Sequence, residues 1–540
     1  MAINNLEKLQ TYPVICEGGL NSNQNFLLLS ARTPGAATTL VNFETSLYGG
    51  YRRLSGFTPL EEAEEAVGGA GAEGKVYGLA FYDGNIIASR KSVGSAVYKF
   101  YKWDPGLVWD DYASGLTLTS TNVDKIRYET FNFNGTPIIA FVDGVNNLAL
   151  FNGTTWVHAA SSDTGADFAN AGGNQLVNAP KYVELFFNHL FVAGDSTSPH
   201  VIAHSAPNKE YDWLSASGAG QIIAGFEVVQ LKVFRDALYV FGTTDIKKIV
   251  VEAGDFVLKD VTTNIGCLAA DSVVEVNGDL LFLSQDGFRT IAATERNEDV
   301  EVGNQSKKIQ QDVLDLIDDA TMSQVSGLVI KRKSQVRYFF SDENLETASN
   351  VGVVGCINGG NEVEHSGEAW EWGQLLGIRA SCVASEYIGT DEYVIHGDYN
   401  GKVYRQEIGT DFDGANILAV YATPYLDFGD VCVRKGIHKM ILFIRPEGDT
   451  TISTNIQYDW DSVTILNPDT YSLEATSAGG GTYDTSLYDA ATYAGTTIPV
   501  LIKNIEGSGM SVRATLFTQD MNESYSVQAI VFEYAVHGRK

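Results

Sequence analysis

The strongest constraint on the fold is a β-hairpin pattern that recurs through the middle of the chain. Short apolar runs flank turn-forming pairs such as Asp83-Gly84, Asn134-Gly135 and Asn277-Gly278. Asn-Gly and Asp-Gly favour two-residue hairpin turns because both residues tolerate positive φ. The hairpins recur roughly every 40–50 residues, which is the spacing of propeller blades. The pattern therefore predicts an all-β fold with a degenerate β-propeller of roughly five to seven blades over residues 75–409.

Residues 181–213 show this pattern most clearly. Two apolar runs, Val183–Val192 and Val201–Ala203, lie on either side of a cluster of turn formers at Gly194–Pro199. Such runs are typical of a β-hairpin that turns one face towards a core. We predict a structural hairpin here, with no catalytic role.

A helical periodicity interrupts the strands once. Residues 305–324 place apolar side chains at i, i+4, i+7 and i+8, which is the spacing of one helix face. The sequence therefore predicts one short helix packed on the sheets, with Asn304 or Ser306 as its N-cap. The apolar positions are Ile309, Val313, Leu316 and Ile317.

The two ends of the chain differ from the blade region. Residues 1–74 are irregular and close with an acidic Gly-Ala-rich loop, so we predict an extended N-terminal arm or attachment segment. Residues 410–540 contain long alternating strands without the blade rhythm, which predicts a C-terminal β-sandwich of roughly seven strands. The Gly/Tyr-rich loop at residues 477–496 is a candidate for a mobile segment or an interface.

The charge of the chain narrows the range of partners. The 540 residues include 37 Lys and Arg against 67 Asp and Glu, which gives a formal net charge of −30. A surface that binds nucleic acid needs clustered basic residues that replace counterions on phosphate. The acidity therefore argues against a DNA-binding surface, and it favours a large protein kept soluble by its charge. DNA that passes nearby without binding is compatible with this charge.

Cysteine usage and hydropathy indicate the compartment. The five cysteines are far apart and form no CxxC pair, so we expect reduced thiols in a protein made in a cytosol. The first ten residues contain no apolar stretch of the kind found in signal peptides. The sequence contains no run of about 18 apolar residues, so it predicts no membrane span.

Signals of enzymatic chemistry are weak. The sequence contains no P-loop, no Gly-x-Ser-x-Gly elbow and no sialidase-type Asp-box. His189, His200 and His204 share one hairpin but alternate between strand faces, without carboxylates at metal-ligand spacing. Paired carboxylates are expected by chance among 67 acids. We therefore predict no enzyme activity and no catalytic, cofactor-binding or metal-binding residues.

Five stretches of the chain carry a resemblance to a known family. They are GGLNSNQNFLLLSARTPGAATTLVNFETSLYGGYRRLSGF, LFVAGD with VIAHSAP, VFRDALYVFGTTDIKKI, NIGCLAADSVVEVNGDLLFLSQDGFRTI and the closing QAIVFEYAVHGRK. In this order they resemble the tail hub or nozzle proteins of short-tailed phages. The motifs describe a scaffold rather than an active site.

The resemblance implies a structural virion subunit that is made in the host cytoplasm and located in the phage tail. Such a subunit forms a homohexameric ring below the portal and the head-tail adaptor, and it contacts the adaptor and other tail proteins. Phage DNA would leave through the ring without specific binding. In an acidic chain we expect acidic residues to line much of that path, because they repel phosphate.

A short segment of the N-terminal region is the candidate interface. Residues 48–57 combine aromatic and basic side chains in an otherwise acidic chain. We expect Arg52 and Arg53, with the adjacent Tyr51, to contact acidic surface on a neighbouring subunit or on the adaptor. The alternative is a local salt bridge within the chain, since such pairs are common.

An alternative function belongs to another class. A propeller tail protein can bind or cleave glycans on the host surface. Such a site would need aromatic side chains that converge with carboxylates in one pocket.

Overall fold

The computed structural model describes most of the chain, with gaps: residues 9–46, 49–60, 66–103, 109–112, 118–291, 303–341, 351–357, 370–461, 467–475 and 500–539. The chain is mostly β, with 53% strand and 9% helix, which confirms the predicted fold class. The predicted loop at residues 477–496 lies outside the described residues.

The N-terminal region contains, within residues 9–46 and 49–60, five short strands and one α-helix. Asn25 caps the helix, because its side chain accepts a hydrogen bond from the backbone N–H of Leu27 at 2.9 Å. The sequence analysis did not predict this helix. The elements are β1 (Gln10–Ile15), α1 (Phe26–Arg32), β2 (Thr39–Val41), β3 (Phe43–Thr45), β4 (Tyr51–Arg53) and β5 (Phe57–Pro59).

Four antiparallel blades follow, each built from strands that are consecutive in the chain. The first contains β6 (Ala72–Tyr82), β7 (Asn85–Ser92), β8 (Val97–Trp103), β9 (Asp110–Asp111) and β10 (Leu118–Thr119). The second contains β11 (Arg127–Phe131), β12 (Ile138–Val142), β13 (Leu148–Phe151) and β14 (Trp156–Ala159). The third contains β15 (Tyr182–Phe186), β16 (His189–Ala193), β17 (Val201–His204) and β18 (Gly220–Ile223). The fourth contains β19 (Gln230–Phe234), β20 (Ala237–Phe241), β21 (Ile246–Glu252) and β22 (Asp255–Thr262).

The second half of the ring includes a helix and a sheet that extends beyond the propeller. The fifth blade contains β23 (Val274–Val276), β24 (Asp279–Ser284) and β25 (Gly287–Thr290), and α2 (Gln310–Asp319) follows it. Next come β26 (Ser326–Ile330), β27 (Gln335–Phe339), β28 (Val351–Ile357) and β29 (Trp370–Leu376). The last blade begins with β30 (Cys382–Ile388), β31 (Asp391–Gly397) and β32 (Val403–Gln406).

The described residues of the C-terminal part form eight strands. They are β33 (Ile417–Ala422), β34 (Val433–Pro446), β35 (Thr450–Tyr458), β36 (Tyr471–Ala475), β37 (Val500–Asn504), β38 (Ser508–Gly509), β39 (Val512–Asp520) and β40 (Tyr525–Arg539).

Apolar clusters between neighbouring sheets close the propeller ring. Six sheets are discrete blades, and the four strands β26–β29 occupy the remaining position as part of a nine-stranded sheet. Each pair of neighbours encloses its own buried cluster, and the last one joins Cys382 and Ile395 to Leu79 and Ala88 of the first blade. This radial packing confirms the predicted propeller.

The predicted hairpin turns are present at two of the pairs that define the pattern. Asp83 and Gly84 have φ of 49° and 73°, and Asn277 and Gly278 have φ of 51° and 74°. Both positions of each turn are therefore left-handed, as a type I′ turn requires.

The N-terminal segment is extended, but it pairs with both parts of the molecule. Strand β5 pairs with β32 and completes the last blade. Strand β2 pairs with β29 on one side and β33 on the other, so it joins the propeller sheet to the C-terminal strands. Strands β1 and β4 pair with β40. The predicted N-terminal arm or attachment segment at residues 1–74 thus pairs, over its described residues, with strands of the other two regions.

The C-terminal region is a sandwich of two sheets. The nine-stranded sheet ends in the order β29-β2-β33-β39-β35-β36, and the seven-stranded sheet holds β3, β4, β40, β34 and β37 with β1 and β38 added. One large buried cluster lies between them and extends to α2, where Ile309 and Val313 are fully buried. The predicted helix is confirmed, but neither predicted cap is used. The hydroxyl of Ser306 instead accepts a hydrogen bond from the N–H of Phe288 at 2.9 Å.

Candidate functional site at the propeller axis

The inner strands of the ring surround a cavity of about 210 Å³ at the propeller axis. Ligand sites of propellers and of other concave folds commonly lie in such cavities. Its charged lining comes from the second to fifth blades and consists of Lys125, Arg127, Glu129, Glu184, Lys232 and Asp271.

The first charged cluster joins the second blade to the fifth. The guanidinium of Arg127 donates to both oxygens of Asp271, with Nε–Oδ1 2.7 Å and Nη2–Oδ2 3.0 Å. The Nζ of Lys125 lies 3.1 Å from Asp271 Oδ2 and also donates to the hydroxyl of Ser326 at 2.7 Å. Burial favours the neutral acid, but Arg127 and Lys125 hold the pKa of Asp271 at about 2. The carboxylate is therefore ionised at any physiological pH.

The second charged cluster joins the third blade to the fourth. The Nζ of Lys232 lies 3.0 Å and 3.2 Å from the two carboxylate oxygens of Glu184, and the N–H of Val233 donates to Glu184 at 3.0 Å. Glu129 faces the same cavity and has no hydrogen-bond partner among the described residues. Burial and the charge of Glu184 raise the pKa of Glu129 to about 8. Glu129 is therefore largely protonated at neutral pH.

The two clusters together form an electrostatic brace across the ring. The basic side chains Lys125, Arg127 and Lys232 pair with Asp271 and Glu184, and Glu129 lies beside them. Charge-assisted hydrogen bonds of this kind fix the relative positions of the strands that carry them. The sequence analysis did not single out these residues. The available signal was the alternation of Lys125, Arg127 and Glu129 on one strand face of an inner strand.

Aromatic side chains lie around these carboxylates in the described part of the chain. Tyr77 and Tyr128 contribute to the cavity wall, and both also belong to or pack against the buried cluster between the first and second blades. The ring centroid of Tyr182 lies 5.2 Å from the guanidinium of Arg127, which pairs with Asp271. The carboxyl groups expected of a glycan pocket are thus present, with the ring of Tyr182 beside one of their ion pairs.

The predicted interface residues lie where the N-terminal segment meets the sandwich. Tyr51 and Arg53 are fully buried, and Arg53 donates to the backbone oxygens of Asp520, at 2.6 Å, and Asn522. Both side chains are buried within the chain in this conformation, and their contact with a neighbouring subunit stays a prediction. Arg52 retains 18% exposure and pairs within the chain, so its contact with a neighbour stays a prediction.

A buried ionic network surrounds Arg52. Its Nη1 lies 2.9 Å from Glu44 of β3, and Glu44 also pairs with Lys333 at 2.7 Å and with Arg337 of β27 at 3.3 Å. Lys333 and Arg337 both reach Glu407, just after β32. Burial opposes ionisation of Glu407, yet Arg337 and Lys333 lower its pKa to about 2. The network ties the N-terminal segment to the propeller, which corresponds to the within-chain alternative.

The described histidines and cysteines are placed by packing and backbone contacts. The rings of His189 and His204 lie 5.2 Å apart, and both Nδ1 atoms contact the backbone oxygen of Ser205. In the described part of the chain, no three His, Cys, Asp or Glu side chains form a group that could hold a metal ion. All five cysteines are unpaired, and four of them are buried. No helix among the described residues is long and apolar enough to span a membrane.

Comparisons with known proteins give structural neighbours alone. No family model matches the chain, and no curated protein matches it. The extracellular domain of a one-component system from B. thetaiotaomicron aligns with 67% of this chain and 41% of its own, at 8% identity and a TM-score of 0.38. An ancestral GH74 enzyme aligns with 69% and 54%, at 11% identity and a TM-score of 0.36. An exo-β-1,3-galactanase from Phanerochaete chrysosporium aligns with 89% and 100%, at 10% identity and a TM-score of 0.23. The chain thus spans less than two thirds of the length of the first two structures.

Proposed function

We propose that this chain is a non-catalytic structural subunit of a phage tail, in a hub or nozzle ring below the portal and adaptor. The single observation that carries the proposal is the braced axis. Asp271 and Glu184 are each paired with cations from another blade, so these carboxylates of the axial cavity are engaged in structural contacts within the chain. A subunit of a ring that bears load needs such a stiff body, and the resemblance in sequence points to the same role.

The DNA path in this proposal lies between subunits. A cavity of about 210 Å³ cannot admit a duplex. With a net charge of −30 per chain, a ring of several copies repels phosphate and lets DNA slide without arrest.

The test is to locate the protein in phage particles. Cryo-electron microscopy of purified tails should show a symmetric ring of propeller-bearing subunits below the adaptor. Native mass spectrometry of the same tails should give a single multiple of 58.6 kDa for this component. Tails that lack the protein would exclude the proposed function, and so would DNA binding by the purified protein at physiological salt.

A second candidate, glycan binding or cleavage at the axis, is favoured by one observation. Glu129 and Glu184 face one cavity, where burial and the charge of Glu184 raise the pKa of Glu129 to about 8, while Lys232 pairs with Glu184. Two carboxyl groups in different protonation states are what glycoside hydrolysis uses. Screening the protein on a glycan array and on glycoside substrates tests this candidate. A response that Glu129→Gln abolishes, while Glu252→Gln on the exposed edge of the fourth blade leaves it unchanged, would favour it over a purely structural role.

A further inference from the structure

We infer that one copy of this chain contacts the next through two different apolar patches of the sandwich region, with an exposed tryptophan of one copy on an exposed sheet face of its neighbour. This inference rests on the proposed function as a ring subunit. It adds the surface through which the ring is built. The two patches are the outer sheet face of the seven-stranded sheet and a knob at residues 27, 28 and 460.

The first row of the outer sheet face crosses four strands in register. Ile15 of β1 lies opposite Ala529 of β40, Ala529 lies opposite Phe443 of β34, and Phe443 lies opposite Val500 of β37. Directly opposed residues of antiparallel strands project from the same face. These four apolar residues therefore form one continuous row.

A second row runs parallel to the first, two residues along each strand. Pro13 lies opposite Val531, Val531 opposite Ile441, and Ile441 opposite Ile502. Ile502 is 61% exposed, and every member of both rows retains some exposure. The alternate residues of the same strands, such as Val14, Leu442 and Ile530, supply the buried core of the sandwich. The residues of the two outer rows are therefore apolar although they face away from the core of the sandwich.

The knob consists of side chains that the backbone holds outward. Trp460 is 41% exposed and lies between Asp459 and Asp461, and all three have φ between 47° and 59°. Such a left-handed conformation is costly for three successive residues that are not glycine. The side chain of Asp459 accepts hydrogen bonds from the N–H groups of Met510 and Ser511, which fixes the turn.

Helix α1 extends the knob next to this turn. Phe26 packs on Trp460 with ring centroids 5.8 Å apart, and the following Leu27 and Leu28 are both exposed. An exposed tryptophan with adjacent leucines is the composition of a protein–protein anchor. The turn belongs to the end of β35, in the nine-stranded sheet, whereas the outer sheet face belongs to the seven-stranded sheet.

The absence of charge from the outer sheet face is the reason for which we assign a second copy as its occupant. Copies that each carry −30 repel one another, so their contact has to be free of unpaired charge. Both rows contain no charged residue, and in the next row Lys439 and Glu533 neutralise each other at 3.3 Å. The face measures roughly 19 Å by 13 Å from strand spacing and rise, about 250 Å², which suits the apolar centre of a standard interface with a polar rim.

The use of two unlike patches explains ring formation. A patch that binds its own equivalent gives a twofold dimer, whereas two different patches that bind each other give a ring when the rotation closes. The knob on one copy and the outer sheet face on the next satisfy the second condition.

The experiment compares two variants, each with a matched control. Trp460→Ala removes the knob and Ile502→Lys places a charge in the face. The controls make the same kinds of change on the propeller, away from both patches. Tyr387→Ala matches the first variant at a side chain that is 42% exposed, and Val93→Lys matches the second at one that is 54% exposed. Light scattering after size exclusion should show rings for the wild type and both controls, and monomers for both test variants. Circular dichroism and melting temperature report that each variant is folded.

Mixing the two test variants gives the decisive result. Each variant retains one intact patch, so an equimolar mixture should form a 1:1 dimer that cannot grow. Assembly of either test variant as in the wild type overturns the inference, and so does a mixture that stays monomeric or a wild type that is monomeric at every concentration. If tails contain the protein while these results are negative, the ring uses another surface and the proposed function stands. If tails lack it, the proposed function itself fails.

Discussion

Arg127 holds Asp271 by a bidentate ion pair across the propeller axis, with both nitrogen–oxygen distances between 2.7 Å and 3.0 Å. The two residues belong to the second and fifth blades, so the pair spans the ring rather than one blade interface. Lys125 adds a second cation to the same carboxylate. The carboxylate of Asp271 therefore neutralises two cations that would otherwise be buried without a counterion.

Replacement of Asp271 by Asn should destabilise the protein strongly. The change leaves Lys125 and Arg127 buried without their counterion, which typically costs about 3–5 kcal/mol. Urea unfolding followed by fluorescence measures the loss. The control is Asp260→Asn, which removes an exposed carboxylate 3.3 Å from Lys247 and should cost under about 1 kcal/mol. Equal effects of the two variants would contradict the brace.

The same pair predicts a loss of stability in acid. The pKa of Asp271 is about 2 in the folded protein, against an ordinary value of 3.8. A lowered folded-state pKa contributes stability that is present above pH 3.8 and is lost as pH falls towards 2. Wild type should therefore lose more stability than Asp271→Asn between pH 4 and 2, as measured by urea unfolding at each pH. Parallel curves for the two proteins over this window would refute the assignment.

The raised pKa of Glu129 predicts that the stability of the protein falls as the pH rises, opposite to the effect of Asp271. Its pKa is raised from 4.5 to about 8, so the folded state holds a proton that the unfolded state releases between these values. Stability from this group is thus present at low pH and falls as pH rises through the window, by at most about 1.4 kcal/mol per pH unit. Glu129→Gln removes the dependence and should be more stable than wild type at pH 9. A variant that is less stable than wild type at pH 9 would show that Glu129 is ionised and paired in the folded protein.

The blades were predictable from the sequence, whereas the sheet partners of the N-terminal segment were not. Asp83-Gly84 and Asn277-Gly278 specify tight turns by local chemistry, and helix α2 shows its apolar period directly. The pairing of β2 with β29 and β33 depends on contacts between residues more than 300 positions apart. No local periodicity encodes such a contact, so residues 1–74 resembled an independent arm.

The axial site was hidden for a related reason. Lys125, Arg127 and Glu129 alternate as charges do on any exposed strand face. Only the ring, which brings Asp271 and Glu184 to the same axis, turns that face inward. The burial of Arg53 was hidden in the same way, because a basic residue beside an aromatic one suggests a surface, and here β4 lies in the sandwich.

Charge reversal at residues 52 and 53 should therefore have two distinct effects. Arg53→Glu places a carboxylate among the backbone oxygens of Asp520 and Asn522 in a fully buried position, and it should prevent folding. Arg52→Glu faces Glu44 and Glu447 at a partly exposed position and should leave a folded monomer of reduced stability. Soluble yield and thermal melting measure both. If folded Arg52→Glu enters tails normally, Arg52 makes no essential contact with a neighbour or with the adaptor.

The packing of Phe57 predicts how the propeller is held closed. Strand β5 comes from the N-terminal segment and supplies the outer strand of the last blade, so the ring closes only after residues 57–59 pair with β32. The ring of Phe57 is 4% exposed and stacks on Phe412 at 4.8 Å between centroids. Phe57→Ala removes this contact and should cost about 3–5 kcal/mol, as large-to-small changes of buried aromatics do. Hydrogen exchange should then become faster in β30–β32 before it does in the second and third blades.

The control, Phe187→Ala, removes an aromatic ring that is 63% exposed and should leave exchange in the last blade unchanged. Uniform acceleration across all blades in Phe57→Ala would mean that the strand lends stability to the whole ring without locking its closure.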